Sequence, residues 1–211
     1  MRQPPFLAWP GWHHLRFAWV LSVASAAWFA WVYAGADVLT SHRAARVRLY
    51  FSQELSIPFV PESVVVFITL YLLFLAAPFI LRERNDFFAL AMTGNLVILV
   101  SGFGFLLIPA QLGYPAPKDL GVFPRLFGLV DRLNLTYDLV PSLPAALSTL
   151  CVAAFASKAN QTWKFFLWIW AVAIAVSGLL MHQHHVIDVV AGIALALAAY
   201  HFIYVRRFNR G

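Results

Sequence analysis

Charge is what this sequence has least of. Asp, Glu, Lys and Arg make up 11% of its 211 residues, against 62% hydrophobic ones. A water-soluble domain of this length covers its surface with polar groups, and too few are present here to do so. Cysteine is nearly absent as well. Cys151 lies inside an apolar run, which leaves neither a disulfide framework nor a thiolate zinc site. A cleavable leader is not expected, because residues 1–16 interleave Trp, Pro and His where a leader has a continuous apolar core. The length suits one domain, 1–211, with no linker or repeat dividing it.

Long apolar runs fill the rest. Six can be read: about Phe17–Gly35, Phe59–Leu81, Phe87–Pro109, Leu139–Ala156, Phe165–Met181 and Val186–Val205. About 20 apolar residues cross a hydrocarbon core as a helix. The expected fold class is therefore all-α, a polytopic integral membrane bundle of six transmembrane helices. Ala194, Ala196, Ala198 and Ala199 in the last run allow close helix approach. Trp12, Trp19, Trp163 and Trp168 near run ends suit the interfacial belt. The segment Ser41–Leu55 is too polar to span. Its apolar residues Val47, Tyr50, Phe51 and Leu55 recur at helical spacing, which predicts an interfacial helix near residues 41–55.

An even number of spans puts both termini on one side. That side holds Arg2, Arg16, Arg82, Arg84, Lys158, Lys164, Arg206, Arg207 and Arg210; the other holds Arg43, Arg46, Arg48, Lys118, Arg125 and Arg132. Nine cations against six predict cytoplasmic termini, and short loops suit a bacterial inner membrane. The net charge of +6 is dispersed among loops, with no basic stripe or known nucleic-acid module, so lipid rather than nucleic acid is the expected partner. The far-side cations either anchor the interface or attract an anionic substrate group.

One run junction carries chemistry: Ser177-Gly-Leu-Leu-Met-His182-Gln-His184-His185-Val-Ile-Asp188, followed at a distance by Gly192. An ionisable residue at the head of an apolar span is costly and therefore a functional candidate. His184 and Asp188 are four apart and share a face of a helix that begins at the histidine, so the carboxylate can accept from one ring nitrogen while the other acts as nucleophile or base. The same residues also suit a helix end whose polar groups are simply hydrated. His182, His184 and His185 are spaced poorly for one metal ion on a regular helix, and neither metal nor cofactor is expected. Upstream, Pro141-Ser142-Leu143-Pro144 makes a capped helix start whose free N–H groups also suit a phosphate. Lys118 and Arg125 precede it.

Together these pieces resemble the type-2 phosphatidic acid phosphatase superfamily, whose motifs are K-x6-R-P, P-S-G-H and S-R-x5-H-x3-D. Ser177, His184 and Asp188 match the third motif, with Gly192 following. The run His184-His185-Val-Ile-Asp188-Val-Val-Ala-Gly192, together with Pro141-Ser142-Leu143 and Ile57-Pro58-Phe59-Val60-Pro61, resembles the inositol phosphorylceramide/sphingomyelin synthase-like branch. The similarity covers roughly residues 55–200. The chain departs from the pattern at Pro144 (second-motif histidine), Gly178 (third-motif arginine) and Leu126 (first-motif proline).

The resemblance implies a membrane lipid-phosphate phosphatase or phosphoalcohol transferase at the non-cytoplasmic face. His184 would form a phosphohistidine oriented by Asp188, and Lys118, Arg125 and Ser142 would hold the phosphate. His182 or His185 would substitute for the missing acid. The alternative is a catalytically impaired relative that binds lipid phosphates.

Overall fold

The structure is a computed structural model that describes residues 5–43, 45–117, 119–133 and 139–208. Lys118 lies outside them. Among the described residues the chain is helical, with a single isolated bridge and no strand. We number the helices α1 (Trp12–Ser41), α2 (Pro61–Ile80), α3 (Arg84–Leu107), α4 (Pro124–Leu133), α5 (Leu143–Ala156), α6 (Gln161–Leu180) and α7 (Val186–Tyr204). Five of them, α1, α2, α3, α6 and α7, are long and apolar enough to cross a membrane.

Helix α5 is the shorter apolar one and forms the post of the bundle. Twelve of its fourteen residues are buried, and α2, α3, α6 and α7 pack around it. Alanine and serine at half of these buried positions let neighbours come close. At Gly192 of α7 an added methyl would lie 2.4 Å from the Ser142 carbonyl oxygen. At Gly104 of α3 it would lie 2.8 Å from the Pro141 ring. Both glycines are thus fixed by backbone approach to the start of α5.

Helix α1 leans on α3 along its length. Val32 fills the space beside Gly102, and Trp28 donates its indole N–H to the Asn95 carbonyl at 3.0 Å. The outer faces stay apolar: Trp19, Trp31, Leu75 and Leu107 are each at least 68% exposed. A coat of large apolar side chains suits hydrocarbon rather than water.

The interfacial helix expected at 41–55 is absent. Arg46 donates to the Thr40 carbonyl at the end of α1, and the chain then runs extended. Val47 N–H donates to Pro109 O (2.9 Å), and Gln111 N–H donates to Val47 O (3.0 Å), forming a parallel bridge. Backbone pairing with the segment after α3 replaces the intrahelical bonds, and only a short 3-10 turn forms at Ser52–Ser56. Tyr50, read as part of a lipid-facing stripe, instead turns inward.

Six helix ends meet on one side: the last residues of α1, α3 and α6 and the first of α2, α5 and α7. The described parts of the connections after α1, α3 and α6 converge there: Val47 pairs with Pro109 and Gln111, and His182 bonds Ile57. On the opposite side Lys158 Nζ lies 2.6 Å from the buried Asp86 carboxylate, joining the segment after α5 to the start of α3.

Candidate active site

The site forms where α6 turns into α7. Ser63 Oγ donates to the Ser177 carbonyl (3.3 Å), and Val60 N–H donates to the Leu180 carbonyl (2.8 Å), tying the entry of α2 to the exit of α6. The connecting turn places His182 at φ 57°, in the left-handed region uncommon for a side chain with a Cβ. Two contacts hold it there. His182 Nε2 bonds the Ile57 carbonyl at 2.9 Å, and its ring stacks on Tyr114 at 3.9 Å.

Asp188 is 1% exposed and lies in the first turn of α7. Its Oδ2 accepts from the His185 backbone N–H at 2.8 Å, closing the helix start. His184 is 5% exposed, and its Nδ1 lies 3.8 Å from the same oxygen. This is an electrostatic contact, longer than the expected hydrogen bond. The reason is local: the helix begins at Val186 with His185 as its extended cap, so His184 lies outside the helical face that carries Asp188. Both ring nitrogens of His184 are buried without a hydrogen-bond partner among the described residues.

His185 is engaged on both sides. Gly113 N–H donates to Nε2 at 3.0 Å, so that nitrogen is unprotonated. Nδ1–H donates to Glu54 Oε2 at 3.1 Å. Burial pushes the His185 pKa down, outweighing the upward pull of the Asp188 and Glu54 carboxylates. A neutral ring fits that balance. With one nitrogen accepting and the other donating to protein, His185 cannot act as the substitute acid. His182, held through Nε2, keeps Nδ1 for such a role.

Glu54 is the residue the sequence reading missed. It is buried, and besides His185 it accepts from the backbone N–H groups of Val186 (2.9 Å) and Phe51 (3.2 Å). A carboxylate on the first amides of α7 is favoured by the helix dipole. Above it runs a column of rings. Tyr50 and Tyr114 sandwich His185, each at 4.5 Å, and His182 covers the far face of Tyr114. Arg48 sits over Tyr50 at 4.7 Å and donates to Ser52 Oγ. Burial, then the Glu54 and Asp188 charges, pushes the Tyr114 phenol up to about 12.

The comparisons with known proteins are silent. No family model, curated protein or solved structure matches this chain. Function therefore rests on the geometry of the site itself.

The structure brings some of the expected residues together and not others. Ser142 is tied to the backbone of Asp188: its N–H donates to the Asp188 carbonyl at 2.9 Å, and its Oγ accepts from Ala145 N–H as the cap of α5. The start of α5 is thereby covered, with Ser142 only 1% exposed. Arg125 is exposed on α4, which packs through Phe127 and Val130 on Val64, Phe67 and Met181. Asp131 of the same helix accepts from Gln183 at 2.9 Å. Among the described cations of the loops on this side, Arg48 is held against the ring column. Among the described residues no cluster of three or more His, Cys, Asp or Glu is arranged to hold a metal ion.

Proposed function

We propose that this chain is an integral membrane enzyme that transfers a phosphoryl or phosphoalcohol group of a lipid through His184. One observation carries the reading: a buried imidazole with both nitrogens unpartnered beside a buried carboxylate. An unpaired buried polar group costs about 1–3 kcal/mol, and a site kept at that cost suits a reacting atom. Asp188, nearer Nδ1, favours a proton there and the positive charge that develops on the ring. Nε2 is then the nucleophile.

In the first step the Nε2–P bond forms as the P–O bond to the departing alcohol breaks, and the alkoxide takes a proton. His182 in its imidazolium form is the acid available for that proton, since His185 is committed to Glu54 and Gly113. In the second step the oxygen of water or an acceptor alcohol attacks phosphorus, the P–N bond breaks, and His182 recovers its proton. Ser142 Oγ–H and the cations Lys118, Arg125 and Arg48 supply phosphate contacts. The proposal includes α5 as a sixth span, shielded from lipid. It also places both termini in the cytoplasm of a bacterial inner membrane, with the site on the opposite face.

The test is release of phosphate or transfer of the headgroup from phosphatidic acid and ceramide-type acceptors by purified protein, with His184→Ala as control. Expected is turnover lost in His184→Ala and a phosphorylated His184 trapped in the wild type. Binding of phosphatidic acid with no turnover in any lipid favours the second reading, a lipid-phosphate binder, which Pro144 at the second-motif histidine position motivates. For topology, Arg125→Cys should react with an impermeant maleimide from outside the cell; Cys151, being buried, stays silent. Reaction only after permeabilisation would reverse the orientation.

A further inference from the structure

A cavity of about 450 Å³ lies between α1, α2, α3 and α5. Its wall is largely carbon, with Phe29, Leu70, Phe74, Leu90, Leu147 and Leu150 among the lining side chains. It follows α5 from Pro144 to Cys151 and α2 from Phe67 to Ala77. At 1.5 Å per residue those stretches are roughly 10 and 15 Å long, so the space is elongated along the helix axes. Ser25 Oγ and Asn95 Oδ1 belong to lining residues, but both atoms are shielded. An apolar cavity of this kind does not hold water well.

Two features say what fills it. Helix α1 leans on α3 and barely touches α2, and the cavity lies between α1 and α2. The Phe67 end of the cavity also lies close to His184, with the Phe67 ring at its wall. Phe67, part of the cavity wall, and His184 both lie 3.6 Å from a methyl placed on Gly178. Leu143 and Pro144, also in the wall, directly follow Ser142.

We propose that this cavity takes one acyl chain of the lipid whose phosphate meets His184. At roughly 30 Å³ per water-sized unit, the volume matches on the order of 15 methylene-sized units, one long chain rather than two. The proposal rests on the phosphate end of the site as read above, but chain binding itself does not need turnover.

The experiment uses the full chain in phosphatidylcholine nanodiscs. The probe is phosphatidic acid bearing a terminal diazirine on one hexadecanoyl chain, with the sites of photolabelling mapped by mass spectrometry. Labelling is expected on the α2 and α5 walls, at residues such as Phe74, Leu147 and Leu150. Gly94→Leu should reduce it at least roughly tenfold, the effect of excluding about two methylenes. A methyl at Gly94 meets Leu150 and Leu147 at 3.9 and 4.0 Å, so the larger side chain enters the cavity without a clash at its root. Ala91→Phe fills the space from another position and replaces Gly94→Leu if that variant fails to fold. Labelling confined to outward side chains such as Trp31 and Leu75, or unchanged in the filled variants, would overturn the proposal. Equal wall labelling by the same diazirine chain on phosphatidylcholine would overturn its assignment to the substrate. Wall labelling without turnover removes the enzyme and leaves the chain site; turnover without wall labelling does the reverse.

Discussion

Replacing Glu54 by glutamine tests whether the buried carboxylate organises the site. Its two oxygens accept from three N–H groups: Val186 and His185 Nδ1 on Oε2, Phe51 on Oε1. Glutamine has one acceptor oxygen, so in either orientation its NH2 group faces at least one donor. The better orientation keeps the oxygen on Val186 and His185 and sets the NH2 against the Phe51 amide. Two charge-assisted bonds, worth about 1.5–3 kcal/mol each, then become neutral ones worth about 1. Relief of carboxylate desolvation offsets part of the loss, leaving a destabilisation of about 1–3 kcal/mol. At about 2–4 °C per kcal/mol for a chain of this size, a loss of ~2 kcal/mol lowers Tm by about 4–8 °C. Tryptophan fluorescence in detergent micelles reads that shift directly. The cycle with His185→Phe isolates the pair, because residues in one hydrogen-bond network show coupling of at least about 0.5 kcal/mol. A Glu54→Gln protein with unchanged Tm, or no coupling to His185, would refute the reasoning.

Three further outcomes follow from neighbouring geometry. Burial lowers the His185 pKa below its ordinary 6.5, so the folded state binds this proton less readily than the unfolded one. Its stabilisation is therefore complete above pH 6.5 and lost as pH falls from there towards the depressed folded value; Tm measured across pH 7.5–5 should show an acid-side decline that His185→Phe flattens. Gly113→Ala should destabilise by about 1–3 kcal/mol through overpacking, since the added methyl would lie 2.3 Å from the Tyr50 ring; Tyr50→Ala in the same chain should restore part of the loss in a thermal melt. Pro144→His, which supplies a ring N–H that proline lacks, should raise turnover of phosphatidic acid by a measurable part of the ~10²–10⁴-fold available to a positioned acid; an unchanged rate would leave His182 as the acid, and His182→Ala should then abolish activity.

The parts legible in the sequence are those whose cause is local. Apolar runs located four of the long helices to within about four residues and the core of the first, which extends from Phe17–Gly35 to Trp12–Ser41, because in lipid the hydropathy of a segment largely decides its state. The start of α7 at Val186 and the nearness of His184 to Asp188 also follow from spacing alone. Their missing hydrogen bond does not: the helix starts two residues after His184, with His185 as its extended cap, so His184 stands outside the helical face that carries Asp188. Segment 41–55 was misread for a long-range reason. Val47 finds its backbone partners beside Ala110, and Glu54 its imidazole 131 positions along the chain. Nothing in the local pattern distinguishes Glu54 from a surface acid. Gly113, whose amide fixes the His185 tautomer and whose missing side chain admits Tyr50, is likewise silent until the fold brings them together.

The unequal heights of the helices have a consequence for how far a lipid must travel. Pro141, at the head of the central post, lies against Gly104, and Val32 of α1 stands beside Gly102. From Val32 to Ser41 α1 climbs on for about 13 Å. The candidate site thus lies in a step below the end of the first helix. Hoisting five methylenes of a lipid out of hydrocarbon to reach a rim-level site would cost about 4 kcal/mol at roughly 0.8 each. That would thin the population of reachable molecules about a thousandfold. On the reading proposed above, a sunken floor would let a lipid phosphate reach His184 while its chains stay in hydrocarbon, so encounter would be set by lateral diffusion in the plane.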